Sequence, residues 1–297
     1  MRRLTSRGAE IGKRTRYALP TFIVIGAQKA GTTSLYEYLR THPNIGMAQP
    51  KELDFFSFEG KWRRGLDWYR TFFPRGRDRH SYGEISPSYA MSDLYPAAPA
   101  RLARSLPNVK ILYMVRHPVD RIASSYIHHV FTGEERRDPV SAVTKDSRYL
   151  TASCYGLHLN EYLGLLPPEQ VMLCSAEQLR SHREQTMRSI LRFIGVETKI
   201  DPAQLAESHH PSGPKRTPWR GVRSARDPGF VKRRMWAPDR RPWPLQALTT
   251  KPFPPMDEMF PPSLCEDLWS RMVDDMAVVR RFVGGDEFDK WNWQPRA

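Results

Sequence analysis

The chain has 297 residues, which is enough for one large or two small domains with a substantial core. Its formal net charge of +14 and its pI near 9.9 predict an anionic partner: a phosphorylated cofactor, an acidic polymer, nucleic acid or an anionic membrane surface. The three cysteines, Cys154, Cys174 and Cys265, are far apart and form no C-x-x-C pair. Their spacing argues against a disulfide framework or a zinc site and suits a reducing compartment.

The first 20 residues predict a flexible basic leader. Several arginines and lysines occur there, but no apolar run follows them. The sequence therefore predicts neither a signal peptide nor a membrane anchor, and we expect a cytoplasmic protein. Residues 21–297 are predicted to form a single domain.

A strand, a tight loop and a helix are predicted in direct succession from Phe22 onward. The apolar run 22–25 predicts a buried strand, and a helical pattern begins directly after Gly31. Gly26 and Gly31 have the G-x-x-x-x-G spacing of a phosphate-binding P-loop, whose N–H groups and following helix N-terminus converge on one anion. A nucleoside triphosphatase would carry lysine at Thr32, whereas here the lysine is Lys29, inside the loop. We therefore expect a ligand other than an ordinary nucleoside triphosphate.

Two carboxylates follow as candidates for a general base. Glu52 forms a charged pair with Lys51 and precedes the aromatic residues Phe55 and Phe56. A carboxylate beside apolar bulk can serve as a base, although a surface salt bridge next to a core anchor is the commoner arrangement. Glu84 lies in a predicted strand end and turn, residues 83–89.

The clearest strand, Val109–Val115, ends directly at Arg116. A magnesium-dependent phosphoryl-transfer enzyme of P-loop type would place an aspartate there. Parallel sheets bind ligands at the carboxyl ends of their strands, so Lys29 and Arg116 mark two anion sites on one edge. That arrangement favours a nucleotide with two separated phosphate groups and no metal ion.

The remaining pattern predicts helices alternating with strands. This order predicts an α/β, P-loop-like three-layer fold with a central, mainly parallel sheet flanked by helices. The predicted elements are helices within 62–73, 96–106, 155–166, 177–194 and 263–283, the last with a capping box formed by Ser263 and Glu266, and a strand at 171–174.

Residues 208–255 form a basic, proline-rich segment. Between positions 215 and 241, ten lysines and arginines face two aspartates, and tryptophans are interleaved with them. Such a composition is typical of a nucleic-acid surface or of a lid over an anionic ligand. We favour a lid that is formed by residues 213–241 and covers the anionic ligand. This segment also offers contact to an anionic surface, and we expect no dedicated nucleic-acid site.

The two phosphate motifs resemble those of sulfotransferases that use 3′-phosphoadenosine 5′-phosphosulfate (PAPS). Residues 22–34 resemble the family's 5′-phosphosulfate loop, and residues 111–126 resemble its 3′-phosphate site. Pro50-Lys51-Glu52 and the segment 83–89 resemble the branch that includes heparan sulfate sulfotransferases and bacterial relatives. The resemblance extends from about Thr21 to Trp291 and is loose between 196 and 260.

The resemblance implies roles for individual residues. Glu52 matches the catalytic base of the heparan sulfate branch, Glu84 is the reserve base, and Lys29 stabilises the departing phosphate. PAPS is expected to be released as PAP without a metal ion, after in-line transfer to a hydroxyl of a carbohydrate, glycolipid or natural product. The nucleotide is expected to be bound by Gln28, Lys29, Ala30, Gly31, Thr32, Thr33, Ser34, Arg116, Ser124, Tyr155, Lys215 and Arg216.

Two other classes of protein remain open from the residues alone. One is an atypical P-loop kinase, against which Thr32 and Arg116 argue. The other is a non-catalytic nucleotide-binding or nucleic-acid-binding protein that uses the basic segment.

Overall fold

The computed structural model describes residues 17–75, 79–198, 200, 216–218, 249–283 and 291, without the side chains of 216–218 and 249–252. The predicted leader lies outside these residues as far as position 16. Lys215 and nearly all of the predicted lid also lie outside them.

A parallel sheet is the centre of the described structure. Its five strands have the spatial order β2-β3-β1-β4-β5 and every pairing between them is parallel, which confirms the predicted α/β fold. The strands are β1 (Phe22–Gly26), β2 (Ile45–Met47), β3 (Ser81–Ile85), β4 (Lys110–Val115) and β5 (Val171–Ser175). All of β1 is buried, as its run of apolar residues predicts.

Helices connect and cover these strands. Before β4 the chain forms α1 (Thr32–Arg40), α2 (Glu59–Trp62), α3 (Gly65–Tyr69) and α4 (Ala98–Ser105). After β4 it forms α5 (Pro118–Thr132), α6 (Pro139–Lys145), α7 (Ser147–Thr151), α8 (Tyr155–Leu163), α9 (Ala176–Ser181) and α10 (Arg183–Ile194). Three further helices span Met256–Met259, Pro262–Ser270 and Val273–Arg280. In the described part of the chain, no helix has both the length and the apolar character needed to span a bilayer.

Two predicted long helices are each divided in the structure. The helix predicted at 177–194 is interrupted at His182, whose backbone is not helical (φ −128°, ψ 48°). The helix predicted at 263–283 likewise ends at Ser270 and resumes at Val273. Its predicted capping box is wrong, because the helix begins one residue earlier, at Pro262, where proline's fixed φ suits the first turn.

An aromatic cluster anchors the segment that follows β2. Phe55 and Phe56 are completely buried, and Phe55 stacks on Tyr69 with ring centroids 4.4 Å apart. Phe56 contacts Tyr89 edge-on at 5.5 Å. Burial of each phenylalanine contributes about 1.5–3 kcal/mol. The aromatic cluster therefore anchors the segment that carries Glu52 against the core.

Beyond the main sheet, β6 (Arg216–Pro218) and β7 (Thr249–Pro252) form an antiparallel pair. The backbone of β6 lies beside α5. The start of the basic segment is thereby held near the helix that follows β4.

Candidate active site

The loop between β1 and α1 has a tightly constrained backbone. Gly26 has a φ of 150°, and a Cβ atom there would lie 2.9 Å from the Cβ of Ala90. Lys29 has a φ of 71°, which is uncommon for a residue with a side chain. Gly31, with a φ of 84°, is the N-cap residue of α1. Glycine is required where the loop passes Ala90 and where it turns into the helix.

The loop leads directly to the N-terminus of α1. Thr32 is buried at the first helical position, and Thr33 and Ser34 are half-buried behind it. The first N–H groups of a helix have no partner within the helix, and its dipole favours negative charge there. The predicted phosphate-binding residues from Gln28 to Ser34 thus form one continuous loop and first helical turn.

Arg116 lies beside this loop, at the carboxyl end of the neighbouring strand β4. Its Nη1 donates to the carbonyl of Lys29 at 3.5 Å, and its Nη2 is 3.9 Å from Asp120 Oδ2. Its Nε is buried and has no hydrogen-bond partner among the described residues. Ser124 follows on α5 and is half-buried. A buried guanidinium N–H without a partner fits a site that takes up an anion.

Tyr155 makes a hydrogen bond to the backbone of Arg116. It is completely buried, and its hydroxyl donates to the carbonyl of Arg116 at 2.8 Å. Tyr155 therefore contributes to the predicted nucleotide site through the backbone of Arg116. Arg216 begins β6, whose backbone lies beside α5, the helix that carries Ser124.

The turn between β4 and α5 is held by contacts that sequence reasoning missed. The His117 N–H donates to Glu177 Oε1 at 3.2 Å, and the His117 ring stacks on Trp269 with centroids 5.5 Å apart. His117 Nε2 lies 3.1 Å from the carbonyl oxygen of Trp291, which is itself buried. Burial raises the pKa of Glu177. No local pattern relates positions so far apart in the sequence.

Lys51 joins the phosphate loop to the predicted base. Its ammonium lies 3.1 Å from Thr33 Oγ1 and 2.6 Å from Glu52 Oε1. The Glu52 N–H donates to the carbonyl of Ile85 at 3.0 Å, at the carboxyl end of β3. The Glu52 side chain is 39% exposed. Glu52 is thus on the same sheet edge as Lys29 and Arg116, and it is open to solvent.

Glu84 has a different environment, at the centre of a buried hydrogen-bond network. Ser86 Oγ and Tyr89 Oη donate to its Oε1 at 2.6 and 2.8 Å, and Tyr69 Oη donates to its Oε2. Burial raises the pKa of Glu84 to about 7, although the three hydroxyl donors act to lower it. The side chain has no exposed surface.

The Glu84 network extends to the segment that carries Glu52. The Asp54 N–H donates to Ser86 Oγ at 2.9 Å, and the Phe56 N–H donates to Tyr89 Oη at 3.4 Å. The two hydroxyls that hold Glu84 therefore also hold the backbone after Glu52. This geometry favours a positioning role for Glu84, and its role as reserve base stays a prediction.

We expect Glu84→Ala to lower the free energy of unfolding by about 3 kcal/mol, because three buried hydroxyl donors lose their acceptor. Glu84→Gln keeps an acceptor oxygen and should cost about 1 kcal/mol. Urea unfolding of both variants measures the difference. Equal losses would show that the hydroxyls find other acceptors.

The Gln variant also isolates the pH dependence of this group. The pKa of Glu84 rises from its ordinary value of 4.5 to about 7 on folding, so the folded state binds the proton more tightly. The stability due to this group is complete below about pH 4.5 and is lost as the pH rises through about 7. The wild type should therefore lose stability relative to Glu84→Gln across that interval.

The glycine-framed loop between β1 and α1 and the arginine after the adjacent strand define a protein of the P-loop-like α/β class. The sulfotransferase domain model matches residues 19–210. The chain therefore belongs to the sulfotransferase family.

The curated relatives include much longer proteins. The human bifunctional heparan sulfate N-deacetylase/N-sulfotransferase 3 is 32% identical over 201 residues, which are 60% of this chain and 22% of that protein. The mouse N-deacetylase/N-sulfotransferase 1 is 30% identical over 205 residues, 61% of this chain and 23% of that protein. The chain thus spans less than a quarter of the length of these relatives.

Solved structures agree with the fold. A sulfotransferase from Alicyclobacillus acidocaldarius superposes with a TM-score of 0.56 at 30% identity, over 66% of this chain and 88% of that one. Mouse sulfotransferase SULT7A1 complexed with PAP has a TM-score of 0.51 at 15% identity, over 92% and 88% of the two chains, and supports the fold alone. Neither the kinase nor the non-catalytic alternative is favoured by these relationships.

Proposed function

We propose that the protein transfers the sulfuryl group of PAPS to a hydroxyl of its acceptor, using Glu52 as the base. When bound, PAPS supplies an activated sulfuryl group, which carries less charge than a phosphoryl group. Residues 28–34 would hold its 5′-phosphosulfate, and Arg116 and Ser124 its 3′-phosphate. Arg216 and Lys215, from the basic segment, would also contribute to binding of the nucleotide.

The residues have separate tasks in this proposal. Glu52 takes the proton of the acceptor hydroxyl as the acceptor oxygen bonds to sulfur. Lys29 and the N–H groups of the loop stabilise the charge on the departing phosphate oxygen as its bond to sulfur breaks. In an in-line transfer the acceptor oxygen and the departing phosphate oxygen lie on opposite sides of the sulfur atom, so Glu52 must face the acceptor side while Lys29 and the loop face the departing side.

The contact of Lys51 with both Thr33 and Glu52 is the observation that carries the proposal. The Lys51 ammonium is 3.1 Å from Thr33 Oγ1 and 2.6 Å from Glu52 Oε1, so this one group contacts both the candidate phosphosulfate loop and the candidate base. The Nε of Arg116, which is buried and has no hydrogen-bond partner in the part of the chain that the structure describes, supports the second anion site. The exposure of Glu52 and the complete burial of Glu84 support the choice of Glu52, which the family resemblance also favours.

We expect PAP at about 100 times its Kd to stabilise the wild type by about 2.7 kcal/mol. The melting temperature should rise by about 5 °C in the presence of EDTA, and much less with magnesium-ATP. Differential scanning fluorimetry measures both shifts.

Arg116→Ala should remove most of the shift that PAP produces, because a charge-assisted hydrogen bond is worth about 1.5–3 kcal/mol. Arg188→Ala provides the matched control, since Arg188 pairs with Glu184 on α10, away from the sheet edge. Equal stabilisation of the wild type by magnesium-ATP and PAP would contradict the cofactor assignment.

A further inference from the structure

Phe58 lies on the segment that continues from Glu52 and forms an aromatic pair with Tyr95, which precedes α4. The Phe58 ring is 40% exposed, although most rings of this segment are buried. It contacts Tyr95 edge-on, with ring centroids 5.2 Å apart. We use the term acceptor shelf for Glu52, Asp54, Phe58 and Tyr95.

Backbone geometry places the members of the acceptor shelf together. Glu52 and Asp54 both have left-handed backbone conformations, with φ of 65° and 50°, so the chain turns sharply between them. The Phe58 N–H donates to the carbonyl of Asp54 at 3.2 Å. Burial, and then the charge of Asp54, raise the pKa of Tyr95, so its hydroxyl lies within the field of that carboxylate. Asp54 therefore links the aromatic pair to the segment that carries the proposed base.

The lysines next to the shelf are already paired. Lys51 is 2.6 Å from Glu52 Oε1. Lys61 donates to the carbonyl of Leu53 at 2.7 Å and lies 3.8 Å from Asp54 Oδ2. An anionic acceptor would meet two carboxylates here and would have to compete with them for these cations. Like charges brought together in a partly desolvated site repel strongly.

An exposed ring beside carboxylates has a definite ligand preference. The face of an aromatic ring packs against the C–H groups of a sugar ring or against another aromatic ring, and carboxylate oxygens accept hydrogen bonds from hydroxyls. Asp54 Oδ1 accepts from Ser88 Oγ at 2.7 Å, which fixes the orientation of the carboxylate. An uncharged molecule with a ring face and several hydroxyls satisfies both features.

We propose that the acceptor shelf binds an uncharged alcohol with an apolar ring face, either a neutral glycoside or an aromatic alcohol, and disfavours polyanionic glycans. This inference rests on the proposed function and assigns its acceptor class. The ring packs on Phe58, Asp54 accepts from a neighbouring hydroxyl, and the reacting hydroxyl faces Glu52. Its proton passes to Glu52 as the oxygen–sulfur bond forms and PAP leaves.

The test compares three acceptors with PAPS and EDTA: methyl β-glucopyranoside, 2-naphthol and a heparosan oligosaccharide. The first two distinguish a sugar from an aromatic alcohol, and the third is the polyanionic glycan. We expect kcat/KM for at least one uncharged acceptor to exceed that for heparosan by about tenfold or more.

Variants of the shelf give a second readout. Phe58→Ala should raise the KM for the uncharged acceptor about tenfold without changing the Kd for PAP, and Phe58→Trp should restore it. Asp54→Asn removes one carboxylate charge, and asparagine tolerates the left-handed backbone. This variant should reduce the ratio of kcat/KM for the uncharged acceptor to kcat/KM for heparosan. Leu157→Ala is the matched control, because Leu157 is an apolar side chain 47% exposed on α8.

Three results would overturn the inference: heparosan as the best acceptor, an unchanged KM in Phe58→Ala, or transfer to none of the three acceptors. If PAP still bound the wild type, any of these would leave the cofactor assignment standing. Failure of PAP to bind would overturn the proposed function itself.

Discussion

Glu52→Gln is expected to lower turnover about 10²-fold or more while leaving the Kd for PAP within a factor of about two. The amide keeps the shape of the side chain but cannot take the proton of the acceptor hydroxyl. Its carbonyl oxygen can still accept from Lys51, which lies 2.6 Å from Glu52 Oε1. The loss should therefore fall on kcat, measured at saturating PAPS with one acceptor.

Glu84→Gln is the matched control for that experiment, since it makes the same chemical change at a carboxylate that is completely buried. Glu84 acts on the segment after Glu52 through Ser86 and Tyr89, so its substitution should reduce turnover less than Glu52→Gln does. Near-normal turnover in Glu52→Gln beside an inactive Glu84→Gln would transfer the role of base to Glu84.

Lys29→Ala is expected to lower kcat about 10²–10³-fold, which is the cost of removing one donor to charge that develops in the transition state. The affinity for PAP should change less, because the loop N–H groups and Arg116 remain. Initial rates at several PAPS concentrations separate the two effects.

Lys145→Ala provides the control for Lys29→Ala, because Lys145 is an exposed lysine at the end of α6. A rise in KM for PAPS with unchanged kcat in Lys29→Ala would show that the lysine binds the ground state and the transition state equally.

The strand, loop and helix from Phe22 to Arg40 were predictable because each depends on local residues. An apolar run predicts the buried strand, and two glycines predict backbone conformations that other residues rarely adopt. The position of Arg116 beside this loop was predictable in the same way, since parallel strands place their carboxyl ends on one edge.

Other features depend on tertiary contacts that no local pattern encodes. The buried network around Glu84 needs Tyr69 and Tyr89, which come from different segments. The contact between His117 and Trp291 joins positions 174 residues apart. Strand β2 has three residues, too few for a periodic pattern to predict it.

The different environments of the two candidate bases are also visible only in the structure. In the sequence, Glu52 and Glu84 are both carboxylates close to aromatic residues. In the structure, the Glu52 side chain is 39% exposed beside Lys51, whereas Glu84 has no exposed surface. Exposure favours Glu52 as the base, because a base must reach the proton it accepts.

The most direct test of the central claim is single-turnover transfer from PAPS labelled with ³⁵S in its sulfuryl group, in EDTA, by the wild type and Glu52→Gln side by side. We expect the wild type to move the label to the acceptor and to release PAP in equal amount. We also expect Glu52→Gln to bind PAP with nearly the same affinity but to transfer the label about 10²-fold more slowly. Equal transfer rates for the two proteins, or label that stays on PAPS in the wild type with every acceptor, would contradict the central claim.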